Sequence, residues 1–80
     1  MFTREEIKGF KDELPLKGIQ MIKSRTGISR PTIYKFLEGE EIRLHLAEKI
    51  WKEGWIIIQE MKEKRAELKR HAEEVLNKEY

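Results

Sequence analysis

The stretch Thr26–Gly39, TGISRPTIYKFLEG, decides how the chain is organised. Gly27 stands where the end of a helix wants a left-handed residue. Ser29 is a good N-cap, and Pro31 is tolerated in a first helical turn because its missing N–H would have been unpaired anyway. A helix therefore starts at Arg30, buries Ile33 and Leu37 four residues apart, and stops at Gly39. Upstream, Ile19 and Ile22 give a second apolar face to a helix expected over Leu16–Arg25, and Ile28 can plug the corner between the two. Two short helices joined by a tight glycine-containing turn make a helix-turn-helix.

Outward from this centre, every periodic segment reads as helix. Thr3 and Glu6 form a capping box, so the first helix should run from Arg4 to Asp12 with Ile7 and Phe10 facing inward. Pro15 closes it, because the residue before a proline is pushed out of the helical region. From Glu41 to Tyr80 the helical signal is nearly continuous. Ile42, Leu46 and Ile50 form a stripe able to cap the N-terminal helices, and Gly54 marks a bend or a close helix crossing. WIII, Trp55–Ile58, points apolar groups around the whole helix circumference, more than one small domain is expected to cover. Beyond it Met61, Leu68, Ala72 and Val75 continue a spaced stripe, interrupted by Arg65. Glu60–Lys64 and Glu74–Lys78 are i,i+4 pairs in the favourable order. The fold expected is all-α: a helix-turn-helix domain of three to four helices over residues 1–52, then a C-terminal helical segment over 53–80 that dimerises.

Charge carries the functional signal. The chain of 80 residues is 40% charged and contains 15 acids, yet none lies between Leu16 and Leu37, where Lys17, Lys23, Arg25, Arg30 and Lys35 stand alone. Residues 1–38 hold eight Lys/Arg against five Asp/Glu (+3), and residues 39–80 hold nine against ten (−1), so the positive excess lies wholly in the first half. A helix-turn-helix lays its second helix in the major groove between two rows of phosphates, which repel acids and attract bases. The acid-free window coincides with both helices of the motif. Lys17, Lys23 and Arg25 are accordingly candidates for phosphate contact, which positions a protein without reading sequence.

The same residues resemble the turn and recognition helix of lactose-repressor-type and phage-repressor-type regulators: glycine, an apolar residue, serine, two variable residues, threonine and a β-branched core residue. Here these are Gly27, Ile28, Ser29, Arg30, Pro31, Thr32 and Ile33. The resemblance covers about Ile19–Gly39, a motif also found in terminase small subunits, recombinases and antitoxins. It implies that Arg30, Pro31, Tyr34 and Lys35 read bases, with Arg30 or Lys35 suited to guanine O6/N7 and Tyr34 to a thymine methyl or a phosphate. Ser29 and Thr32 would serve as cap and phosphate donor. The family has a small residue four before the turn glycine, where this chain has Lys23.

Trp51, Trp55, Ile56, Ile57 and Ile58 read either as core residues alone or, with Met61 and Leu68, as a dimer interface as well, since a monomer would expose a large apolar patch and two-fold proteins match two-fold operators. Enzyme readings lack parts: the chain has no cysteine, no glycine-rich phosphate loop after a strand, and no fold large enough to enclose a carboxylate pair. His45 and His71 stand alone, and HAEEV lacks the second histidine of a zinc-protease motif, so no metal or cofactor is expected. No apolar run reaches the ~18 residues of a membrane span, and the N-terminus has no signal-peptide pattern. The expectation is a cytoplasmic, nucleoid-associated transcriptional regulator of double-stranded DNA, a small homodimeric repressor without a small-molecule effector domain. A DNA-packaging or recombination accessory protein, or a protein-interaction module docking through its C-terminal helix, are the alternatives.

Overall fold

Four helices, α1 (Arg4–Glu13), α2 (Gly18–Thr26), α3 (Arg30–Leu37) and α4 (Leu44–Lys78), make up the protein in a computed structural model that describes residues 2–78. No strand occurs among the described residues. The capping box forms as the sequence predicts: the Glu6 N–H donates to the Thr3 hydroxyl at 3.1 Å and the Thr3 N–H to the Glu6 carboxylate at 3.0 Å. That donated backbone bond holds the Glu6 carboxyl below its ordinary range. Leu14, just before Pro15, is extended, and it ends α1 one residue later than expected.

α2 begins at Gly18 rather than Leu16. The Gly18 N–H donates to the Pro15 carbonyl at 2.9 Å, so Leu16 and Lys17 form a turn, and Leu16 lies fully exposed. Gly27 adopts the left-handed conformation (φ 75°). Thr26 clasps the turn that follows: its hydroxyl donates to the Ile22 carbonyl at 2.7 Å and accepts the Ile28 N–H at 3.2 Å. Ile28 is buried beneath it.

α3 ends in a Schellman motif, with the Glu40 N–H on the Lys35 carbonyl at 2.9 Å and the Gly39 N–H on that of Phe36 at 3.0 Å. Gly39 supplies the positive φ of 83° that this geometry requires. Ser29 occupies the N-cap position, but its hydroxyl meets the Thr32 hydroxyl at 3.0 Å instead of capping a backbone N–H.

α4 starts at Leu44, three residues after the helical signal begins, and runs unbroken for 35 residues. At ~1.5 Å per residue that is about 52 Å, which accounts for the 56 Å long axis of the molecule. Only its first half packs on the other helices. The core consists of Ile7, Phe10, Ile22, Ile28, Ile33, Phe36, Leu37, Ala47, Ile50, Ile57 and Ile58. No break marks residue 52, where the domain boundary was expected: the core continues through Ile58, and ion pairs extend the attachment to Glu60 and Lys62.

Aromatic packing sets the crossing of α1 on α4. The Phe10 ring is completely buried, with ring centroids 5.1 Å from Trp51, 5.6 Å from Trp55 and 6.1 Å from Phe36. Phe2 covers the cluster from outside, 4.7 Å from Trp51 and 5.3 Å from Phe36. The ring lies directly on Gly54, where a Cβ would overlap its Cε1 and Cζ atoms. Gly54 is therefore a close crossing, not a bend.

This packing corrects the expected dimer interface at two residues. Ile57 and Ile58 are 0% and 2% exposed and belong to the monomer core. Trp51 and Trp55 are half-buried against Phe10, Met61 is half-buried, and of WIII only Ile56 counts as exposed, at 38%. A single small domain does cover most of that segment, because α1 and α2 approach it from different sides.

A candidate nucleic-acid interface on α2, the turn and α3

Ile33, Phe36 and Leu37 fix the inner side of α3 against the core. At the helical repeat of about 3.6 residues, Arg30, Pro31, Tyr34 and Lys35 then fall together on the opposite arc. All four are exposed. Arg30 and Lys35 make no ion pair among the described residues, and neither do Lys17 and Lys23, which are exposed as well. The structure thus brings the four expected base-reading side chains onto one outward face, flanked by Ser29 at the start of the helix.

Ser29 and Thr32 share one hydrogen bond between two hydroxyls. Each hydroxyl carries one proton, so one of the two remains free to donate outward. Tyr34, 49% exposed, borders a shallow groove of about 310 Å³ that it shares with Lys11, Leu14, Pro15, Ile19, Leu37 and Glu38. Its ring is therefore steadied on one side while the other side stays open. Lys23 points into solvent from the position where the resembled family has a small residue, so its side chain does not wedge α2 away from α3.

Arg25 departs from the expectation. Its guanidinium holds the Glu60 carboxylate through two nitrogens, at 2.8 and 3.4 Å, with Glu53 at 3.9 Å. The bond raises the Arg25 pKa and holds the Glu60 carboxyl below its ordinary range. Arg25 is thus a tie between α2 and α4 rather than a free phosphate contact. The window that is acid-free along the chain is not acid-free in space at this end, since α4 delivers two glutamates to it. Phe36 and Thr26 were not singled out from the sequence. The i+3 spacing from Ile33 was the available signal for Phe36, whereas Thr26 was hidden because its role depends on the turn geometry.

No group of three or more potential metal ligands occurs among the described residues, and no described helix is long and apolar enough to cross a membrane. No family model, curated protein or solved structure matches the chain.

Proposed function

We propose that the protein binds double-stranded DNA through α3 as a small helix-turn-helix transcriptional regulator, acting most simply by occluding a promoter. One observation carries the reading: Arg30, Pro31, Tyr34 and Lys35 share an exposed arc, free of ion partners among the described residues, on the helix that follows a left-handed glycine turn. Phosphate attraction would draw Lys17, Lys23 and the free hydroxyl proton of the Ser29–Thr32 pair to the backbone, while Arg30 and Lys35 reach base edges. Arg25 is left out of this set.

The test is binding of a fluorescent mixed-sequence duplex over a salt series, for wild type and for Arg30→Glu/Lys35→Glu. The expected result is non-specific affinity of roughly 10⁻⁴–10⁻⁶ M at physiological salt, strengthening steeply as salt falls and lost in the double variant. Wild type that stays unbound at low salt, or a variant that binds equally, would mean the motif is purely structural here. One recognition helix covers one half-site, so recognition of a two-fold operator requires a second DNA-binding unit. What brings such a unit depends on α4.

A further inference from the structure

The apolar stripe of α4 does not end where the small domain ends. Ala47, Ile50, Ile57 and Ile58 face the core, and the same side of the helix continues through half-buried Met61 to Leu68 and Val75, which are 62% and 45% exposed. From Lys62 to Lys78 the helix projects about 25 Å at ~1.5 Å per residue. Met61, Leu68 and Val75 recur every seven residues, with Arg65 and Ala72 interleaved at the alternating three- and four-residue spacing of a coiled-coil seam. The stripe is narrow, which suits packing on another helix rather than lying in a lipid interface, where a broad apolar face is needed.

Charge on either side of the seam specifies what can lie there. Lys62 and Lys69 flank it on one side, where the same row ends in the exposed Leu76, Lys64 and His71 flank it on the other, and Arg65 sits within it. The acids Glu63, Glu67 and Glu74 fall on the far side of the helix, and Glu73 lies outside the Lys62–Lys69 border, one turn beyond Lys69. Lys62 is already tied to Glu13 at 3.0 Å, at the point where α4 leaves the domain. Lys64, Arg65 and Lys69 are exposed and make no ion pair among the described residues. A second copy is a poor occupant. Parallel copies would set Arg65 against Arg65 and Lys64 of one against Lys69 of the other, and antiparallel copies would set each basic row against itself. Like charges held face to face across an interface cost several kcal/mol and select against that pairing.

From the seam and its basic borders we infer that the projecting half of α4 docks an amphipathic helix of a different protein, one whose apolar seam is bordered by aspartate or glutamate. Apolar packing at Met61, Leu68 and Val75 supplies the adhesion, and Lys64, Arg65 and Lys69 select the acidic borders. This inference does not rest on DNA binding, and its readout involves no duplex.

Two synthetic helical peptides, each about three heptads long, share one leucine/isoleucine seam and differ only in bearing glutamate or lysine at every flanking position. Each is titrated calorimetrically into the full chain. The glutamate peptide is expected to bind at one-to-one stoichiometry, roughly tenfold or more tighter than the lysine peptide at low salt, with the gap closing as salt rises. Lys64→Glu/Lys69→Glu changes only exposed side chains and should reverse the preference, with helix content checked by circular dichroism. Leu68→Asp should abolish binding of either peptide. Equal affinity for the two peptides, or no binding of the glutamate peptide, overturns the inference. A stable dimer of the chain alone that Leu68→Asp dissociates would identify a second copy as the occupant and overturn it too. So would binding to phosphatidylserine vesicles through Leu68 with no preference between the peptides.

Discussion

Replacing Gly54 by alanine adds one methyl group to the side of α4 on which the Phe10 ring lies. In an exposed helix interior the same exchange stabilises by roughly 0.5–1 kcal/mol, because alanine loses less backbone freedom on folding. Here the new methyl would overlap two carbons of a ring that is fully buried among Trp51, Trp55 and Phe36. Overpacking a well-filled core costs roughly 1–3 kcal/mol, and overlap with two carbons of a buried ring puts this site near ~3. The net expectation is a loss of about 2 kcal/mol, equivalent to a Tm lower by about 8–16 °C in a domain of this size. Gly9 provides the internal control, since it sits exposed within α1 and nothing lies within 4 Å of a Cβ placed there. Gly9→Ala should raise Tm. Phe10→Leu removes the far edge of the ring, so in that background Gly54→Ala should become neutral or stabilising, giving a coupling of about 2–3 kcal/mol between the two positions. Thermal and urea unfolding, followed by circular dichroism and tryptophan fluorescence, measure all of these. A Gly54→Ala protein as stable as wild type, or a cycle without coupling, would falsify the crossing of α1 and α4 described above.

Other outcomes follow from the turn and the α2–α4 tie. Gly27→Ala meets no neighbouring atom but must adopt φ 75°, so it should destabilise by about 1–2 kcal/mol, while Gly27→Asn, which tolerates that region, should lose less. Equal stability of glycine and alanine at this position would contradict a left-handed turn. The Glu60 carboxyl is held below its ordinary range by Arg25, so between its folded and unfolded pKa values the unfolded chain binds the extra proton and stability rises with pH. That contribution is fully present above the ordinary glutamate value of about 4.3 and disappears as pH falls through the folded value. Wild type should therefore be more stable than Glu60→Gln near neutrality, the gap closing in acid and shrinking with added salt. A gap independent of pH would show that the carboxylate charge plays no part in holding α2 on α4.

The segment α2–turn–α3 was legible because its signals are local. A glycine able to take positive φ, a proline in a first turn, a capping box and the spacing of Ile22, Ile28, Ile33 and Leu37 act over a few residues of chain and need no knowledge of neighbours. The outward arc of α3 followed directly, since fixing the buried side of a helix fixes the opposite one. Elements set by competing turns moved: α2 lost Leu16 and Lys17 to the Pro15 turn, and the Ser29 hydroxyl went to Thr32 instead of the backbone.

The sequence by itself determined the helical type of the elements, the turn between α2 and α3, and which side chains of α3 point outward. Helix propensity, capping and apolar periodicity are properties of short stretches of chain. Only the tertiary structure decided that Arg25 belongs to Glu60, 35 residues away, that Ile57 and Ile58 are core rather than interface, and that Gly54 makes room for Phe10. Each of those depends on the angle and depth at which α4 crosses α1 and α2. That crossing is a sum over many contacts between distant segments, which no local pattern encodes.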